Sequence, residues 1–342
     1  MEQGYFYHYR LGMQKLVTAL GRDHPRIYEA RILQHRLNEN LAQTLEHGTT
    51  PSLEDSRARI LESCERLSRL STGASFHDLC GLPGTSTSRV TARDKQQLLD
   101  AYFTRMSDLL VYQGLRNAHA ASEVRGIARE QTLAVLHGLG DDGSSKGQVL
   151  QFLYESGLIT QGPAVFFLSD ANLREVWLNG AFLVEAHLAG THMEGAHLEH
   201  THLEWAHLGE AQLNEAHMTK VFLVAAHLAR ANLLKADLRD AHLVGAKLAG
   251  ANLKEADLTN AHLEWAFMGT TNLLGACLKG AQMVGTELRG ANLAYTDLSS
   301  ANLQDTSLTW SRLRGATYNE ETLWPEGFDP ISAGAVLKEC PE

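Results

Sequence analysis

The sequence predicts an α+β multidomain chain, with α-helical bundles in its first half and a solenoid of short bent units through most of its second. Three observations carry this reading. Every fifth residue from Leu168 to Leu313 is leucine or methionine. Residues 1–160 lack that period and show apolar stripes at helical spacing instead. A chain of 342 residues that is 44% hydrophobic is also long enough to bury two or three separate cores.

The first stripe is Phe6, Tyr9, Met13, Leu16 and Leu20, the second Leu33, Leu37, Leu41 and Leu45, and the third Leu53, Ile60, Cys64 and Leu67. Steps of three, four and seven residues place each set on one helical face, so residues 1–80 read as a three-helix bundle. Gly21, Asp23 and Pro25 punctuate the first junction, and Gly48, Thr50 and Pro51 the second, where proline suits a first helical turn. The Gly, Ser and Thr-rich stretch "GLPGTSTSRVT" at 81–91 reads as a linker. Further helices are expected near 93–114, 123–139 and 145–158. Their position against "GPAVFFLSDANL" makes residues 92–160 the expected N-terminal cap of the repeats, with Leu150, Phe152, Leu153, Leu158 and Ile159 covering the first coil.

The five-residue period occupies 30 consecutive units, and the residue two before each centre is nearly always Ala, Thr, Val or Ser. In an α-helix a step of five residues turns by roughly 140° and leaves no apolar face. In a flat strand an odd period would send successive leucines to opposite sides. A chain that bends at every unit satisfies the pattern, with the centre and the small residue pointing inward and the other three positions outward.

Units such as "ANLLK", "ADLRD", "AKLAG", "ANLKE" and "ADLTN" closely resemble those of the pentapeptide-repeat family. That resemblance implies a right-handed quadrilateral β-helix over residues 161–316, with about 20 residues per coil and a rod on the order of 36 Å long at strand spacing. An open coil exposes unpaired edges and needs caps. Residues 317–342, where the period decays, are expected to form the C-terminal cap, with Trp324, Pro325, Phe328 and Pro330 over the last coil. In the front half, "LGRDHPRIYEARILQHRLNENL" and "SFHDLC" resemble the small helical effector-associated modules of bacterial conflict systems. These are death-fold-like in role, and the resemblance implies recruitment of a protein carrying a matching module.

With 20 residues per coil, the position before each leucine sorts into four columns, and nine of the 17 histidines occupy it. Tetrahedral zinc draws its nitrogens to about 2.0–2.1 Å, while rungs two coils apart, such as His187 and His227, are roughly 9.6 Å apart by strand spacing. The expected metal set is therefore none, with at most a weak surface site at a pair such as His187 and His207. Between Glu175 and Thr219 there are seven Glu, seven His and no Lys or Arg, an acidic stretch rich in a side chain that titrates near pH 6.5; the sequence leaves open whether it is pH-sensitive. Trp205 and Trp265 recur in two copies of "LEWA" three coils apart, and exposed tryptophan is a frequent interaction anchor. The candidate interaction surface is Trp205, Trp265, His187, His207, His227, Glu194, Glu199 and Glu204.

No run of 18 apolar residues and no basic-then-apolar leader occurs, so a soluble, cytoplasmic protein is expected. Cys64, Cys80, Cys277 and Cys340 lie far apart and suit neither a disulfide framework nor a thiolate zinc site. Lys and Arg are not clustered, which disfavours direct nucleic-acid binding. Phosphate-loop, dinucleotide, zinc-protease and serine-hydrolase motifs are absent, and no enzyme or cofactor is expected.

Two function classes follow. One is a non-enzymatic adaptor that recruits a protein partner through its front module, in bacterial defence signalling, and presents the rod as a second surface. The other is a duplex-DNA mimic that binds a type II topoisomerase, as some members of the resembling family do. Residues 166–316 carry 11 basic and 16 acidic side chains, sparse beside one charge per roughly 1.7 Å of duplex, so the adaptor is preferred. The sequence leaves the oligomeric state open.

Overall fold

The computed structural model describes residues 92–119, 122–160, 165 and 167–338, together with Leu61 and Cys64. The chain divides into two compact units, Met1–Val90 and Thr91–Glu342. In the first, Leu61 and Cys64 are helical and Cys64 is buried. The rest of the three stripes, the linker at 81–91, Cys80 and Cys340 lie outside the described residues.

Among the described residues of the second unit, three helices precede the repeats: α1 (Ala92–Val111), α2 (Glu123–Gly138) and α3 (Gly143–Glu155), with a 3-10 turn at Leu115–Asn117. Helix α1 stops short of the expected 114 because the chain turns at Gly114, which holds a left-handed φ of 60°. Helix α3 begins earlier than 145 because the Asp142 carboxylate caps it, accepting the Ser145 N–H at 3.0 Å.

The repeats run as a solenoid. From Asn172 to Arg312 the residue before each leucine or methionine makes an isolated parallel bridge, and these bridges pair at 20-residue intervals in four ladders, which begin at Asn172, Trp177, Phe182 and His187. Three main-chain bonds per unit join neighbouring coils, as in Leu173 N–H to His192 O at 2.7 Å, Glu175 N–H to Glu194 O at 3.0 Å and His192 N–H to Ala171 O at 3.0 Å. A fourth closes the turn, as in Val176 N–H to Leu173 O at 3.1 Å. The residue two after each leucine takes a positive φ, and all twenty non-glycine residues of positive φ among the described residues stand at that place. These left-handed residues are the bends that the odd period requires.

Inside, leucines and the small residues two before them are sealed from solvent, as at Ala206 and Leu208. Burial of each leucine stabilises the stack by about 1.5–3 kcal/mol. Threonine fits the small slot because its hydroxyl has a partner: Thr201, Thr271, Thr286 and Thr306 donate to carbonyls of the preceding coil at 2.8–3.0 Å.

The helices cover the first coil's edge. Gly143 and Gly147 lie against the backbone of Glu175 and Trp177 so closely that a Cβ on either would collide with those carbonyl oxygens. The Trp177 N–H donates to Gly143 O at 3.0 Å and the His187 N–H to Ile159 O at 2.8 Å. Arg129 donates to the carbonyls of Phe167 and Ser169 at 2.9 and 3.1 Å, and Lys146 to that of Arg174 at 2.8 Å. Edge groups that would otherwise template another strand are thereby satisfied. Leu150, Leu153, Leu158 and Ile159 are wholly buried in the core that continues into the coils. Phe152 differs from expectation: it is only partly buried and packs on Phe103 with ring centroids 5.2 Å apart.

At the other end the ladders outlast the period. Thr317 pairs under Asp297, Leu323 under Asn302, and the strand β1 (Thr317–Tyr318) runs parallel to β2 (Val336–Leu337). The tail thus builds a further, irregular turn of chain. Trp324 stacks on Phe328 at 5.2 Å and meets Tyr318 edge-on at 5.4 Å.

Candidate interaction surface

In each extended segment the residues before and after the leucine are two apart and face outward together. What they do depends on chemistry. Where the first is Asn or Asp, its side-chain oxygen accepts the N–H of the residue after the leucine: Asn232, Asp237, Asn252 and Asp257 do so toward Leu234, Arg239, Lys254 and Thr259 at 3.0–3.4 Å. The amides also bond coil to coil, Asn252 to Asn232 at 2.9 Å, Asn272 to Asn252 at 3.1 Å and Asn292 to Asn272 at 3.2 Å. Where it is His and a glutamate stands two residues on, the ring turns to that carboxylate: His202 Nδ1 lies 3.0 Å from Glu204, and His192 and His262 lie 3.4 Å from Glu194 and Glu264. Glu194, Glu199 and Glu204 are thus local partners of their own histidines, with His197 and Glu199 more distant at 4.0 Å.

The rings also stack along the axis. In the ladder from His187, His187 and His207 are parallel within 14° at 4.5 Å, and His207 meets His227 at 4.8 Å, tilted by 50°. Lys247 Nζ lies 3.0 Å from His227 Nε2. Imidazole lone pairs lie in the ring plane, so the parallel rings of His187 and His207 point theirs side by side rather than at a common centre. This geometry does not suit even the weak surface site allowed for at that pair, and among the described residues no three metal-binding side chains converge. Burial, and then the neighbouring His207, hold the His187 ring below its ordinary range. Burial, Lys247 and His207 do the same to His227. Burial and His262 lower His242 against the opposing pull of Glu264, Asp240 and Glu204. Glu194 is also held low: its burial acts upward, but Arg174, 2.9 Å away, its own main-chain N–H and His192 together outweigh it.

The structure does not gather the eight candidate residues into one patch. Glu194, Glu199 and Glu204 belong to three successive ladders of one coil, so the acidic stretch is a girdle around the solenoid. His187, His207 and His227 form the fourth ladder. Trp205 and Trp265 share one turn position between the third and fourth ladders and are 56% and 63% exposed. Of the eight, Glu204, Trp205 and Trp265 are brought to one side.

Two features escaped the sequence reading. The third ladder is a continuous ring stack, with Phe182, His202, Phe222, His242 and His262 at successive centroid spacings of 4.5, 4.5, 4.8 and 5.1 Å and planes within 6° of parallel. The alternation of Phe and His at 20-residue intervals was visible for it. A groove of about 480 Å³ between α1, α3 and the first coil, walled by Phe103, Phe152 and Trp177, had no local sequence pattern.

Comparison with known proteins agrees with the repeat. The family described as pentapeptide repeats matches in eight copies over residues 168–204, 206–243, 236–275 and 281–317. Among solved structures, alr5209, a pentapeptide repeat protein from Nostoc Pcc 7120, is 36% identical over 31% of this chain and 84% of its own, with a TM-score of 0.21. HetL, a pentapeptide repeat protein involved in heterocyst differentiation regulation in Nostoc sp. strain PCC 7120, is 25% identical over 56% of this chain and 92% of its own, with a TM-score of 0.24. A pentapeptide repeat protein of the Arabidopsis thaliana thylakoid lumen is 30% identical over 28% of this chain and 64% of its own, with a TM-score of 0.23. A search of curated proteins returns no match. The family match over the repeated units and the 36% identity over 84% of the Nostoc protein's chain show the family: the chain belongs to the pentapeptide-repeat family.

Proposed function

We propose that the chain is a non-enzymatic adaptor. Residues 1–80 recruit a protein partner as an effector-associated-like module, 81–91 link it, and 92–160 and 317–342 cap a rod formed by 161–316. The rod winds as a right-handed quadrilateral coil, the sense favoured for crossovers between parallel strands, and presents a second protein-binding surface. The resemblance of "LGRDHPRIYEARILQHRLNENL" and "SFHDLC" to conflict-system modules supports a place in bacterial defence signalling, in the cytoplasm.

The observation that carries the second surface is the pair Trp205 and Trp265, at one turn position three coils apart and more than half exposed. Large aromatics held outward on a rigid scaffold suit protein recognition. Duplex mimicry is less well served. One coil after Glu194, Glu199 and Glu210 stand Asn214, Thr219 and Arg230, and Arg230 lies 3.4 Å from Glu210, so acidic rows are interrupted and partly neutralised. No helix among the described residues is long and apolar enough to cross a membrane.

Affinity capture with the full chain and with a chain beginning at Thr91 tests recruitment. The principal partner is expected to be lost from the shorter protein. Its undiminished capture by residues 91–342 would reject the front module as the recruiting element.

A further inference from the structure

We infer that the side of the solenoid bearing the third ladder docks a cationic, apolar segment of a partner protein, laid along the coil axis. The inference rests on the adaptor reading and names the chemistry of its second surface.

The floor of this track is the stack from Phe182 to His262, whose rings present edges and partial faces to solvent, Phe182 being 58% exposed. Beside the stack, in the position after each leucine, run Val184, Glu204, Val224, Val244 and Glu264, all half-buried. Along the next turn stand Trp205 and Trp265 with Ala225 and Gly245 between them, so two bulky rings bracket two small residues. Above Phe182 the surface continues through Ala181 into the groove walled by Phe103, Phe152 and Trp177. This is a contiguous apolar strip of the kind that marks an interaction site rather than scattered exposed side chains.

Charge decides what covers it. The five third-ladder units, 181–185, 201–205, 221–225, 241–245 and 261–265, contain Glu185, Glu204 and Glu264 and no Lys or Arg. The groove adds Glu155 and again no cation. Lys220 and Arg239 before two of these units and Lys247 after one are the flanking cations; Arg239 is paired with Asp237 at 2.6 Å and Lys247 lies 3.0 Å from His227. Single-stranded nucleic acid also stacks on aromatic platforms, but needs a positive groove for its phosphates, and an anionic lipid surface is repelled for the same reason. A segment with Arg or Lys among apolar residues gains on both counts: cations meet carboxylates and the faces of Trp205 and Trp265, and apolar side chains meet the valines and phenylalanines. Glu204 and Glu264 are separated by three coils, roughly 14 Å, which an extended peptide spans in about four residues. The matching segment therefore carries cations about four residues apart.

The test uses the full chain and a fluorescent 12-residue peptide, with arginine at every fourth position and leucine or serine between. Fluorescence anisotropy is expected to show saturable binding that weakens with salt. Affinity should fall roughly tenfold or more in the Trp205→Ala/Trp265→Ala variant and in Glu204→Gln/Glu264→Gln, while Trp310→Ala, on another side, binds as the parent does. Unchanged circular dichroism excludes misfolding, and a Trp265→Phe variant with intermediate affinity separates ring contact from collapse of the coil. Equal binding of a peptide with glutamate in place of arginine would overturn the proposal. So would parent-like affinity in both double variants, equal competition by an oligonucleotide or anionic vesicles, or self-association abolished by Trp265→Ala, which would put a second copy on this side. The adaptor reading fails on a different result, retention of the principal partner by residues 91–342.

Discussion

Trp265 lies over Gly285, the residue at the same turn position one coil on: a Cβ on Gly285 would come within 2.6 Å of Trp265 Cε3 and Cζ3. The exposed indole is thus seated on backbone rather than free in solvent, and the missing side chain below fixes its pose. Gly245 provides the control, because it has a similar φ, 65° against 69°, and nothing within 4 Å of an added Cβ. Gly245→Ala should therefore cost the backbone penalty alone, about 1 kcal/mol. Gly285→Ala should cost that and lift Trp265 off its seat. A red shift of tryptophan emission in Gly285→Ala but not Gly245→Ala is the expected result, and matching spectra would show that the ring does not rest there.

Lys146 is wholly buried in α3 and donates to Arg174 O at 2.8 Å and Asn172 Oδ1 at 3.3 Å. Burial depresses its pKa, with Arg174 acting the same way and Asp141, Glu175 and Asp142 acting against. Lys146→Met keeps the bulk and leaves two part-buried acceptors without this donor. The expected loss is about 1–3 kcal/mol, concentrated at the first coil. Hydrogen exchange should accelerate at Trp177 and His187, whose N–H groups bond to the cap, and not at Leu253. Uniform acceleration through both regions would argue against a local capping role.

How much of this was legible depended on whether a feature repeats. The inward leucines and the small slot before them follow from period alone, since no helix or flat strand satisfies it. The pairing of His202 with Glu204 is also within reach of the sequence, because residues two apart in an extended segment share a face, although the composition of "HLEHTHLEW" points first to a patch of charge. The cap was less accessible: Gly143, Gly147 and Lys146 look like ordinary helix positions until α3 is set against Glu175 and Trp177. At the tail, Leu323 stands 21 residues after its partner Asn302 and Val336 stands 19 after Thr317, and such offsets are invisible to a five-residue template.

The amide ladder gives a third expectation. Asn252 donates to Asn232, accepts from Asn272, and accepts the Lys254 N–H at 3.4 Å. Asn252→Leu removes all three bonds from a part-buried row and should cost about 1–3 kcal/mol. Asn252→Asp retains both acceptor roles and loses one donor, so its cost should be smaller. Denaturant unfolding that ranks the aspartate variant below the leucine variant would contradict the bond assignment.

The histidine ladders make the solenoid acid-sensitive in a defined direction. His187, His227 and His242 are held below the ordinary imidazole value of 6.5, in each case first by burial and then by a neighbouring ring or cation. Below about pH 6.5 the unfolded chain therefore binds more protons than the folded one, and stability rises with pH in that window. Their contribution is complete above 6.5 and is lost as pH falls through the lowered values. The carboxylates of Glu194, Asp237 and Asp297, also held low, lose theirs only in a second, more acidic step below about 4. Thermal melts should accordingly show Tm falling between about pH 7 and 5.5, before the carboxylates of Glu194, Asp237 and Asp297 titrate. His227→Asn removes a ring that lies between His207 and Lys247 and should flatten that slope. A Tm that held steady or rose on acidification through this range would mean that the stacked rings accept protons in the folded state as readily as in the unfolded chain.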